Sequence, residues 1–125
     1  MENLYQAILL DHYRNPRHRG VLEKPDFSSG STNPSCGDSV SFQGCVEGDL
    51  ITAVAFTGSG CVISQATASL LSEYVLNKTL SQIMMLDKDF IVSMIGMPQI
   101  GPMRIKCALL PLQALQVGIA QYQEK

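Results

Sequence analysis

Four residues carry the chemistry this chain could do: Cys36, Asp38, Cys61 and Cys107. Cys36 and Asp38 share the stretch NPSCGDSV, with only Gly37 between them. A thiol and a carboxylate set side by side in a loop have two uses. Asp38 can close the turn through its own backbone, or both side chains can hold the same ion. Cys61 follows GSG at the expected start of a helix, and Cys107 follows a Gly/Pro loop at the expected start of the last one. Helix N-termini bring partial positive charge and free N–H groups, which favour a thiolate. Thiolates bind metals and attack sulfur. The three cysteines are too widely spaced for paired C-x-x-C knuckles, so a shared site would have to be assembled from three separate segments. Three thiolates and one carboxylate make a tetrahedral set for zinc or iron. Residue types alone leave the turn cap and the ligand set both open. Cys45, in mid-strand and opposite in parity to Val40 and Phe42, reads as a small structural hydrophobe.

The elements that must position these residues follow from pattern. Residues 2–14 read as a helix through Leu4, Ile8 and Leu9, with Asn3 as cap and Pro16 as stop. RNPRHRG is a basic turn. Residues 24–36, rich in Pro, Ser and Gly, read as a loop. Ser39–Val46 and Leu50–Thr57 read as an antiparallel hairpin closed by EGD, and a strand near Gly20–Lys24 is expected beside it, since two strands alone are marginal. A helix follows from Cys61, with Ile63, Ala66, Leu70 and Tyr74 as its stripe. Ser81 is expected to cap a short segment, and Asp87 to open another. The stretch 96–102 reads as a second loop. Pro111 is tolerated only near a helix start, which places the beginning of the last helix close to Cys107. The class is α+β: a small antiparallel sheet of about three strands with helices on one face.

Bulk properties narrow the function. The 125 residues fit one domain, 1–125, and the net charge of −2 carries no basic stripe for nucleic acid. Charged residues are only 16%, which leaves apolar surface for partners. No apolar run is long enough to span a bilayer and the N-terminus lacks a signal-peptide layout, so a cytoplasmic location is expected. Four cysteines in such a chain read as thiols or metal ligands rather than disulfides.

The segments NPSCGDSV, GSGCVISQATAS and RIKCALLPL, with HYRNPRHRG near the start, together resemble the signature of the U-type iron–sulfur cluster assembly scaffold family, which includes IscU, SufU and the N-terminal domain of NifU. The resemblance implies that the cluster or zinc ligands are Cys36, Asp38, Cys61 and Cys107, gathered at one exposed end of the fold. It implies a non-enzymatic scaffold that takes sulfur from a cysteine desulfurase, binds Fe2+, builds a [2Fe–2S] cluster and passes it to acceptor proteins. The alternative within the family is a zinc-bound sulfurtransferase of the SufU type, with Zn2+ in the same site. Cys107 and Cys36 are the candidate sulfur acceptors, and Lys106 adds charge beside Cys107. The apolar loop IGMPQIGPM is a candidate desulfurase contact. IscU proteins carry histidine where this chain has Lys106, and IGPMRIK replaces their Leu-Pro-Pro-Val-Lys stretch, so the resemblance does not carry over a dedicated Hsp70-type chaperone. His12 and His18 read as packing or surface residues. A monomer or weak oligomer is expected.

Overall fold

Gly48 adopts φ 64°, a left-handed conformation that suits glycine. It reverses the chain between β2 (Asp38–Glu47) and β3 (Leu50–Ser59). The computed structural model describes residues 2–125, with side chains from Leu4 onward. The two strands pair antiparallel with Phe42 opposite Phe56, and these rings lie 5.8 Å apart in the core. The expected hairpin is therefore present. Its strands also extend to Asp38 and Ser59, so the ladder ends beside two of the four candidate ligands.

The third strand is not where the sequence placed it. β1 is Phe27–Asn33, within the stretch read as a loop, and it pairs antiparallel with β2 to give the order β1-β2-β3. Its Ser, Gly and Thr residues show no apolar alternation, so nothing in their pattern reads as strand. Backbone pairing and the buried Phe27 hold it. The Phe27 ring lies over Gly44, its partner on β2, and against Gly118 of the last helix. A Cβ at either glycine would press into that ring, a close approach that requires glycine. Gly20–Lys24 forms no strand. The chain just before it reaches the far edge of β3 through one bridge between Arg19 and Phe56, with Gly20 N–H donating to the Phe56 carbonyl at 2.9 Å.

Helices cover one face of the sheet. α5 (Pro102–Gln123) packs on β1 and β2, α2 (Val62–Val75) packs on β3, and α1 (Glu2–Arg14) lies on α2. Val40, Phe42, Phe56, Leu71, Leu115 and Ile119 are fully buried between these layers. Each such side chain contributes about 1.5–3 kcal/mol, so the core does not depend on a bound ion.

Several helix details differ from expectation. α1 ends before Pro16 as expected, but of its apolar stripe only Leu9 is buried, and Leu4, Tyr5 and Ile8 are exposed. Asn3 as a cap lies outside the described side chains. α2 buries Ser64, Ala68, Leu71 and Val75, whereas Ile63 and Leu70 are half-buried and Tyr74 is exposed beside Phe90. Packed by α1, α5 and the sheet, α2 has no single core stripe. α3 (Leu80–Met84) is capped by Thr79 rather than Ser81, in a reciprocal capping box with Gln82. α4 (Lys88–Ile95) opens at Asp87 as expected, with Phe90 N–H donating to Asp87 Oδ1 at 3.0 Å.

The largest correction is α5, which begins at Pro102 and not near Cys107. Pro102 fills the first helical position, where its missing N–H costs nothing. Pro111 is accommodated inside the helix and removes the N–H that would bond the Cys107 carbonyl. Buried Ala108, Leu112, Leu115 and Ile119 hold the helix on the sheet through this break.

His12 joins α1 to α2. Its Nδ1 lies 2.7 Å from Ser69 Oγ, which also accepts Arg17 N–H at 2.8 Å, and its Nε2 lies 3.7 Å from Glu73. Burial lowers the His12 pKa, and the Arg17 charge adds to this against the opposing Glu73 and Asp11. His12 is thus a packing residue and His18 is exposed. Among the described residues no helix is long and apolar enough to cross a membrane.

Candidate metal centre

Asp38 is the first residue of β2, on the same inward face as Val40 and Phe42, and is only 2% exposed. Its carboxylate accepts the Cys61 N–H at 3.0 Å and the Cys61 thiol at 3.0 Å. Gly60 packs directly on this carboxylate; a Cβ there would overlap Oδ1, and its φ of 137° suits only glycine. Cys61 is the N-cap of α2, and its sulfur accepts Ser64 N–H at 3.5 Å. Cys36 sits exposed on the turn after β1. The Asn33 carbonyl accepts the N–H groups of Cys36 and Gly37 at 3.1 and 2.9 Å, and Asn33 Nδ2 approaches Cys36 Sγ at 3.4 Å.

Cys107 does not stand at a helix start as expected. It lies in the second turn of α5, buried, and its thiol meets Cys36 Sγ at 3.0 Å. Three segments distant in sequence thus deliver four side chains to one end of the sheet. Cys45 stands apart, half-buried, with its thiol 3.6 Å from the Lys24 carbonyl.

The donor set fits an ion. Ligand atoms of Cys36, Asp38 and Cys107 lie within 4.8 Å of one another, and Cys61 joins them through Asp38. A tetrahedral ion with metal–sulfur bonds of about 2.3 Å spaces its sulfurs by about 3.8 Å. The 3.0 Å Cys36–Cys107 contact needs only a small opening to reach that spacing. The hydrogen bonds Cys107–Cys36 and Cys61–Asp38 hold the side chains together. Metal binding would exchange thiol protons for the ion.

Burial raises the Asp38 pKa, but hydrogen bonds from Cys61, Cys107 and Ser64 outweigh it and hold the carboxyl below its usual range. Burial pushes the Cys107 thiol well up, and its contacts with Cys36 and Asp38 push it further. The helix-start argument for a low Cys107 pKa therefore fails in the metal-free chain: the thiol is too deep in α5 and lies beside a carboxylate.

A pocket of about 400 Å³ opens over the thiols, lined by Cys36, Cys61, Val62, Ile63, Met103, Arg104 and Cys107. Arg104, which the sequence reading passed over, faces this pocket. Lys106 is exposed and does not line it. Positions 104 and 107 share a helix face at i, i+3 spacing, a signal lost when α5 is begun at Cys107. Met97 and Ile100 of the apolar loop pack against the core.

An α+β fold that brings three cysteines and an aspartate to one end of a three-stranded sheet is the arrangement that the resemblance to the U-type iron–sulfur scaffold family implies. The chain belongs to the NifU-like N-terminal domain family, whose profile matches residues 4–125. It is 32% identical over 137 residues to the zinc-dependent sulfurtransferase SufU of Bacillus subtilis (strain 168), covering 97% of this chain and 92% of that protein. It is 37% identical over 124 residues to the iron–sulfur cluster assembly scaffold protein IscU of Aquifex aeolicus (strain VF5), covering 97% and 77%. The fold superposes on FiSufU from Fervidobacterium islandicum AW-1 with a TM-score of 0.77 and 28% identity, over 90% of this chain and 93% of that one.

Proposed function

We propose that residues 1–125 form one scaffold unit that accepts sulfur from a cysteine desulfurase, takes up iron, assembles a [2Fe–2S] cluster and passes it to acceptor proteins. The ligands are Cys36, Asp38, Cys61 and Cys107. The observation that carries this reading is the mixed donor set at an open end: a carboxylate among thiols, with Cys36 and Cys61 exposed. A closed structural zinc site uses Cys and His ligands throughout. A carboxylate is a harder, weaker ligand for iron than a thiolate, so Asp38 is the corner from which cargo leaves.

The chain's residues divide the work. Cys107, buried in α5, and Cys36, exposed on its turn, are the two sulfur acceptors. Arg104 on the pocket wall is the positive charge that faces these sulfurs, and Lys106 is the exposed cation next to Cys107 in sequence. Asp38 fixes Cys61 through its backbone N–H. The scaffold works in the cytoplasm, as a monomer or weak oligomer.

A zinc-bound sulfurtransferase is the second reading. It is favoured by the 32% identity to the Bacillus subtilis protein over 97% of the chain and by Lys106 where IscU proteins have histidine. Anaerobic incubation with iron, cysteine and a desulfurase separates the two. A visible iron–sulfur chromophore on the chain supports the scaffold. A colourless chain that keeps one zinc and stimulates the desulfurase supports the transferase and refutes cluster assembly.

A further inference from the structure

Resting on the sulfur-accepting reading above, we propose that Cys36 is the resolving thiol for a persulfide on Cys107, so that this chain itself releases delivered sulfur as hydrogen sulfide. The structure sorts the site into two pairs. Cys36 and Cys107, both free thiols, have their sulfurs 3.0 Å apart. Cys61 is engaged elsewhere, on Asp38 at 3.0 Å, and lies outside the tight group of Cys36, Asp38 and Cys107. A disulfide bond is about 2.05 Å long, so an approach of roughly 1 Å joins the first pair. Cys36 is placed to make that approach: it is exposed and lies on a turn rather than in the ladder. Cys107 stays fixed in α5.

The chemistry balances without an outside oxidant. A persulfide on Cys107 carries an inner sulfur, bonded to Cβ, and an outer sulfur. Cys36 attacks the inner sulfur, which is the atom it already touches. The bond between inner and outer sulfur breaks, and its electron pair leaves with the outer sulfur. That sulfur departs as hydrosulfide and takes up the proton lost by Cys36, giving hydrogen sulfide. The two cysteine thiols are oxidised to a disulfide, and the sulfane sulfur is reduced to sulfide. The pocket of about 400 Å³ gives the outer sulfur room, and Arg104 on its wall faces the departing anion. A dithiol reductant must then reduce the Cys36–Cys107 disulfide before the next round. An ion on the two thiolates blocks the step, because it holds the sulfurs about 3.8 Å apart and occupies their lone pairs.

The test uses the full chain, metal-free and reduced, given one equivalent of glutathione persulfide. Sulfide is trapped with a bimane reagent, and cysteine states are mapped by mass spectrometry without reduction. The parent should release sulfide and show a Cys36–Cys107 linkage with Cys61 free. Cys36→Ser should keep the extra sulfur on Cys107 and release sulfide at least about tenfold more slowly, since it loses the intramolecular attack. Cys45→Ser, at a cysteine that stands apart from the site, should behave as the parent. The proposal falls if the parent keeps its persulfide with its other thiols free, if the linkage involves Cys61, or if Cys36→Ser releases sulfide at the parental rate. Those results leave sulfur acceptance standing. A Cys36→Ser protein that never carries sulfur on Cys107 overturns acceptance there, and the proposal with it.

Discussion

Asp38→Ala should have opposite effects on the empty and the loaded protein. In the metal-free chain the carboxylate accepts both the N–H and the thiol of Cys61, each at 3.0 Å. Leaving a buried donor unsatisfied costs about 1–3 kcal/mol. Cys61 is exposed enough for water to replace part of the lost bonding, and removal of a desolvated charge returns some stability. The net loss is therefore about 1 kcal/mol, or about 4 °C in Tm at this chain length. Asp38→Asn keeps an acceptor oxygen for the Cys61 N–H and should lose less. In the loaded protein the proposed weakest iron ligand would be gone, so cargo should leave more slowly. Thermal unfolding of the three metal-free proteins measures the first effect, and decay of the visible chromophore under an added chelator measures the second. A chromophore that decays faster in Asp38→Ala than in the parent would refute the exchangeable corner. An unchanged or raised Tm would refute the structural role. Acid adds a check. The Asp38 pKa is held below 3.8, so its contribution is present above that value and is lost as pH falls through the lower folded value. The alanine variant should unfold less steeply in acid.

Other outcomes follow from the same geometry. Arg104→Gln should slow alkylation of the pocket thiols in metal-free protein more than Lys106→Ala does, because only Arg104 lines the pocket; the reverse order would restore Lys106 as the tuning charge. His12 has a folded pKa below 6.5, so its contribution is whole above that pH and is lost below it as the unfolded chain takes up the proton first. His12→Gln should flatten the fall in the urea midpoint from pH about 7.5 to about 5, and a slope as steep as the parent's would exclude His12 as its source. Zinc at a hundred times its Kd should stabilise the chain by about 2.7 kcal/mol, or about 10 °C in Tm. Amide exchange should then slow most around Cys36 and at the start of α2, and least in the hairpin; uniform protection would mean that the ion holds the whole fold.

What the sequence showed and what it hid have distinct physical causes. The hairpin was legible because Val40 and Phe42 alternate with polar residues and Gly48 marks the turn. The chemistry was legible in residue types, since thiols and a carboxylate announce ligands wherever the chain puts them. β1 was not, because FSSGSTN has no apolar alternation and its one anchor, Phe27, depends on glycines at 44 and 118. Of the expected α2 stripe only Ala66 is fully buried, because polar residues share the buried faces, held by backbone carbonyls: Ser72 Oγ donates to the Ser69 carbonyl at 2.6 Å and Gln65 Nε2 to the Ser39 carbonyl at 3.3 Å. The rule that proline interrupts a helix hid the first turn of α5, and with it Arg104.

The corrected start of α5 changes how the site is held. Cys107 belongs to a helix whose buried face packs on β1 and β2, and Asp38 belongs to β2 itself. These two donors are fixed by the core, and both are buried. Cys36 and Cys61 are exposed, one on a turn and one at a helix cap, and Cys61 is tied there to the Asp38 carboxylate. A site with all four donors in the core would bind tightly and exchange slowly; one with all four on loops would have to order itself around each ion. On the proposed ligand set, cargo would leave at the weak Asp38 bond, with the exposed Cys36 and Cys61 moving aside while Val40, Phe42 and Phe56 stay packed. The sheet then supplies stability and the turns supply exchange, and a single carboxylate, fixed by the first and bonded to the second, couples them.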